Sequence, residues 1–146
     1  MYKPSILLEM ASPEEMLVLL EAAQVYYARG EYAKAEKVFL GALVLSPDNA
    51  EVLSAIGSCL QAQGKLDEAL EYYEASLSDC PHDLGAMLGR AELLLGMGKT
   101  DRAIEELESL LAQIYPDNIV AERAEALMQA AKEMQAKASA QQDTTQ

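Results

Sequence analysis

Apolar and polar positions recur along this chain with helical spacing, and the pattern repeats itself. From Pro13 to Arg29 the chain reads as the first helix of a two-helix unit. Glu14 and Glu15 fall in its first turn, where the helix dipole favours acids. Gly30 is expected to close it, because the turn needs a positive φ that glycine adopts without a Cβ clash. A second helix is predicted from Tyr32 to Leu45. Ser46-Pro47-Asp48 then ends it, since proline cannot continue the hydrogen-bond ladder. Asp48 is expected to accept from the free amides of the next helix. The same punctuation returns as CPHD at Cys80 and YPDN at Tyr115.

The step between copies is 34 residues: Gly30, Gly64 and Gly98 keep it, as do Ala35, Ala69 and Ala103. Ala23, Gly57 and Ala91 share another position. Small residues there let two antiparallel helices approach closely. Phe39, Tyr73 and Leu107 occupy a bulky position and are expected to fill space between one unit and the next, each worth about 1.5–3 kcal/mol when buried. Pro47 and Pro81 are in step, whereas Pro116 comes one residue late. Arg90 stands where the first two copies have Ala22 and Ile56, which predicts a less regular end to the array.

This pattern resembles the tetratricopeptide repeat over three copies, residues 16–49, 50–83 and 84–117. The resemblance implies an all-α fold of three tandem helical hairpins in a right-handed superhelix with a C-terminal capping helix. The hairpins are expected to occupy residues 13–117 and the capping helix residues 118–137. Residues 138–146 lack apolar periodicity and are expected to be disordered.

Charge and composition narrow the function. The net charge of −13 repels phosphate backbones and anionic bilayers, so neither nucleic acid nor a membrane surface is an expected partner. No uncharged apolar run is long enough to span a bilayer, and the ILL of the N-terminal stretch is too short for a signal core. A cytoplasmic location is expected. The chain has one histidine, His82, placed in a turn, and two cysteines without metal-ligand spacing. Cys59 reads as a packing residue and Cys80 as a turn residue. No phosphate-binding loop is present, and the carboxylates sit on solvated helix faces. Neither catalytic residues nor a cofactor or metal are expected, and the chain reads as a non-enzyme.

The inner face of the first helix of each hairpin is the candidate site. By resemblance to the repeat family it carries repeat positions two, five, nine and twelve. These are Leu17, Leu20, Gln24 and Tyr27 in the first copy, Glu51, Ser54, Ser58 and Gln61 in the second, and Gly85, Leu88, Glu92 and Leu95 in the third. Such a face is apolar at its ends and polar between, and suits an extended peptide. Gly85, Gly89 and Gly96 on one helix suggest open space or close backbone approach there. The clamp that grips the carboxyl tails of heat-shock chaperones would need cations, but Leu20, Gln24, Ala55, Gly85 and Gly89 stand at those places.

The stretches YYARGEYAKAEKVFLGALVL, LSAIGSCLQAQGKLDEALEYY and AELLLGMGKTDRAIEELESLL also resemble the repeats of class II chaperones of bacterial type III secretion. That resemblance implies a bacterial cytoplasmic protein that holds a hydrophobic translocator before export, a proline- and leucine-anchored segment of the client lying in the groove. Ile6, Leu7, Leu8 and Met10 could fold back on the first repeat or form a homodimer contact through residues 1–12, and the resemblance favours the second. A chaperone of needle or other export subunits, and a general repeat scaffold, fit the same residues.

Overall fold

The structure, a computed structural model, describes residues 12–145. The segment expected to form a dimer contact lies, apart from Ser12, outside the described residues. Within them the chain forms helices and turns and no strand. We number the helices α1 (Pro13–Ala28), α2 (Tyr32–Leu45), α3 (Ala50–Ala62), α4 (Leu66–Asp79), α5 (Leu84–Gly96), α6 (Thr100–Leu111) and α7 (Ile119–Asp143). They fall into two compact units, one ending at Cys80 and the other starting at Pro81.

Both units are built on the same turn. Gly30, Gly64 and Gly98 have φ of +76°, +78° and +75°. In the first copy the Glu31 amide donates to the Tyr26 carbonyl at 2.9 Å and the Gly30 amide to Tyr27 at 2.9 Å. Those two bonds make a Schellman motif, in which a left-handed residue satisfies the last carbonyls of a helix while reversing the chain. Lys65 with Leu60 and Lys99 with Leu94 repeat it at 2.9 and 2.8 Å. Glu31, Lys65 and Lys99 also start α2, α4 and α6, and their side chains make no capping bond.

The opposite ends of the hairpins carry side-chain caps. Asn49 accepts from the Val52 amide at 3.1 Å, Asp83 from Ala86 at 3.0 Å and Asn118 from Val120 at 2.8 Å. The expected cap Asp48 is therefore one residue early. Both residues have capping side chains, and Asn49 is the one with extended backbone directly before the helix. At the start of α1, Ser12 and Glu15 bond each other's amides in a capping box.

In the first unit α1 pairs with α2, α3 pairs with α4, and α2 packs on α3. Ala23, Ala35, Ala42 and Ala69 are wholly buried where the helices cross. Tyr73 lies within its own hairpin, over Gly57. A Cβ at residue 57 would stand 3.2–3.3 Å from three ring carbons. The buried Ser76 donates to the Ala50 carbonyl at 2.7 Å and fastens the end of α4 to the start of α3.

The second unit holds the α5–α6 hairpin, with α7 packed on α6 and touching α5. Arg90 does not loosen this hairpin. Its guanidinium makes a two-pronged bond to Glu106 on α6, both Nη2 distances being 2.7 Å. Helix α7 buries Ala121, Ala124, Met128 and Ala131, spaced to make one stripe. It continues to Asp143, so residues 138–143 are helical rather than disordered. Alanine and glutamine are good helix formers, and this stretch contains no glycine or proline stop. Among the described residues no helix is long and apolar enough to cross a membrane.

Gly57→Ala tests the close approach at Tyr73. Alanine would improve helix propensity by about 1 kcal/mol. The ring is buried and held at its hydroxyl, so it cannot yield to the new methyl. We expect a net loss of about 1 kcal/mol in urea unfolding, and recovery when Tyr73→Leu is added.

Candidate functional site

In the first unit, α1, α2 and α3 enclose a cavity of about 260 Å³, open to solvent. Leu20, Gln24 and Tyr27 come from α1, Phe39 from α2, and Glu51, Ala55 and Ser58 from α3. A stripe at i, i+4 and i+7 puts the three α1 residues on one side of that helix. The volume suits an aliphatic side chain better than a large cofactor.

The wall is mainly apolar. Its polar lining residues are Gln24, Ser58, Tyr27 and Glu51; no lining residue is cationic. Tyr27 meets Tyr32 edge to face, with ring centroids 5.1 Å apart. Behind the wall, the Tyr73 hydroxyl donates to Gln61 Oε1 at 2.9 Å. A phenol has one proton, so Ser58 is the donor in its 3.0 Å bond to Tyr73. This relay holds Ser58 at the cavity and leaves the Gln61 amide hydrogens uncommitted to Tyr73. Phe39 and Leu107, the equivalents of Tyr73, have no hydroxyl, so the relay belongs to the second repeat alone.

Four of the expected groove residues, Leu20, Gln24, Tyr27 and Ser58, thus line one cavity, joined by Glu51. Leu17 is 56% exposed on α1 but does not line it. Ser54 donates to the Glu51 carbonyl at 3.0 Å. Ala55 was expected on this face only as a clamp position, and Phe39 was not expected in the groove. Phe39 reads as core from its repeat position, and its buried ring also forms the cavity floor.

The second unit departs from the expectation. Leu95 is only 9% exposed and belongs to the packing of that unit. The Glu92 carboxylate accepts from Arg123 Nε of α7 at 2.5 Å. Leu88 is half-buried. Gly85 is exposed, and a Cβ there would meet only its own cap, Asp83, at 3.3 Å. His82 sits in the turn and bonds Gln113 at 2.7 Å. Among the described residues no group of three metal-capable side chains comes together.

Sequence models described as tetratricopeptide repeat match residues 5–50, 20–83 and 60–123. The chain belongs to the tetratricopeptide repeat family. No curated protein matches it. Solved structures that share the repeat fold include the type III secretion translocator chaperone SycD of Yersinia enterocolitica, described as an alternative dimer. It is 26% identical, with 85% of this chain and 96% of that chain covered and a TM-score of 0.77. SycD in complex with a peptide of the translocator YopD matches at 25% identity over 85% of this chain and 97% of that one, with a TM-score of 0.75. The first repeat domain of human RPAP3 matches at 19% identity, covering 86% of this chain and 96% of that one, with a TM-score of 0.77. At that identity the likeness to RPAP3 is one of fold alone.

This tetratricopeptide repeat protein has two thiols of opposite character. Cys59 is buried on α3 beside the cavity wall, and burial pushes its pKa from 9.0 up to about 11, with the Glu36 carboxylate adding to the rise. Cys80 is exposed. At neutral pH a thiol reagent should label Cys80 in the native protein and Cys59 only after denaturation. A raised pKa means that the folded state holds its proton more tightly. The associated stability is full below about pH 9 and is lost as pH rises towards 11. Urea midpoints across that range should fall, and less so in Cys59→Ala.

Proposed function

We propose that this chain is a non-catalytic chaperone that holds a hydrophobic client of type III secretion, a translocator, in the bacterial cytoplasm before export. An extended segment of the client lies along the inner helix face and inserts an aliphatic side chain into the cavity of the first unit. One observation carries this reading: an apolar cavity sized for a side chain, on the helix face that the repeat resemblance marks out for peptides. The likeness to SycD, which is described with a translocator peptide, supports the choice of client.

The chemistry of holding follows from the lining. Leu20, Phe39 and Ala55 cover an apolar group that would otherwise drive aggregation of the client. Gln24, Ser58 and Gln61 offer hydrogen bonds to main-chain amides, which are common to every sequence. Anchors supply preference, and the polar groups avoid stranding the peptide backbone. Release needs no nucleotide, because a small interface is reversible. The strong negative charge keeps the complex in solution.

A homodimer through residues 1–12 is part of the same proposal. Its support is the apolar outer strip of α1, where Val18 is 63% and Val25 48% exposed, together with the dimeric description of SycD.

Co-expression with a protein of long hydrophobic segments encoded beside this chain is the test. The client should stay soluble only in its presence. Ala55→Leu, which fills the cavity without adding charge, should weaken client binding roughly 10- to 100-fold, the worth of one lost aliphatic anchor. A client equally soluble without the chaperone, or indifferent to Ala55→Leu, would overturn the reading. Deleting residues 1–11 should halve the mass in solution; an unaltered mass would remove the dimer role.

A further inference from the structure

We infer that the cavity selects a basic client segment: an aliphatic anchor with a lysine or arginine two positions away. This rests on the peptide-binding reading above and deepens it. Glu51 shares the rim of the cavity with the apolar groups that would hold the anchor. It is the one charged residue of the lining. It sits in the first turn of α3 and is exposed. Its carbonyl accepts from the Ser54 hydroxyl at 3.0 Å.

The two acids expected on the groove face, one in each unit, differ in this respect. Glu92 is taken up by Arg123, and no cation lines the cavity beside Glu51. A cation on the peptide would therefore find an acceptor at Glu51 without displacing a partner among the described residues. An acidic residue would meet repulsion beside an apolar wall, where screening by water is weaker than in bulk.

Geometry fixes the spacing. In an extended chain successive side chains point to opposite sides, and residues two apart share a side about 7 Å apart. With the anchor in the cavity, the residue two positions away faces the rim, and the adjacent one faces outward. Position therefore separates Glu51 from the general negative field of the protein, which would attract a lysine anywhere on the peptide.

The test uses short alanine–serine peptides capped at both ends. Each carries one central leucine and a lysine, glutamine or glutamate either next to it or two positions away. Titration into isotope-labelled protein is followed at the amides of Ala55 and Ser58. Lysine two positions away should bind up to about fivefold more tightly than glutamine, and glutamate weaker by a similar factor, the scale of an exposed ion pair. The adjacent placement should separate them less. Added salt should compress the series, Glu51→Gln should collapse the ratios towards one, and Glu51→Lys should invert them. Equal binding by all the leucine peptides would overturn this inference and leave the peptide-binding reading intact. No shift at Ala55 or Ser58 with any peptide, at concentrations where weak anchors bind, would overturn both.

Discussion

Every hairpin depends on one backbone conformation. A helix must stop, satisfy its last carbonyls and reverse within three residues, and a left-handed residue at the reversal accomplishes this. Glycine holds that place at φ near +76° in all three copies. With the reversal so short, the two helices leave it already in contact, and small residues must line their crossing. The wholly buried Ala23 and Ala35, and Gly57 under the Tyr73 ring, are consequences of that closeness. The cavity is a further consequence: Ala55 is too short to fill the space between α1 and α3.

Much of this was legible in the sequence because it is periodic. The turn glycines, the buried alanines and the helix ends recur at a fixed step, and each has a steric cause that reads without coordinates. Local choices were harder. Asp48 and Asn49 are both capping residues, and backbone geometry rather than composition makes Asn49 the cap. The end of α7 has no apolar stripe, so periodicity could not announce it; helix propensity could have.

The candidate site was legible where a repeat position alone decides exposure. Leu20, Gln24, Tyr27 and Ser58 follow from their place on the first helix of a hairpin. Leu95 and Glu92 follow the same rule of position but not its outcome. The second unit has a helix, α7, that does not obey the repeat, and Arg123 from it reaches Glu92. Phe39 illustrates the converse. A residue assigned to the core by its period can still line a cavity. The relay from Ser58 through Tyr73 to Gln61 was not legible, since it joins residues on two helices through a single phenol oxygen.

Helix α7 buries nothing beyond Ala131, although it runs on to Asp143. Beyond the backbone ladder and side-chain bonds within α7 itself, the bond that ties these turns to α6 is the one Gln135 donates to Asp101 Oδ1 at 2.8 Å, so they can fray while the core stays packed. Lys132 and Lys137 lie in that stretch. A trypsin-like protease would trim the end there while the repeats stayed folded, so a shortened form could circulate with its client site intact.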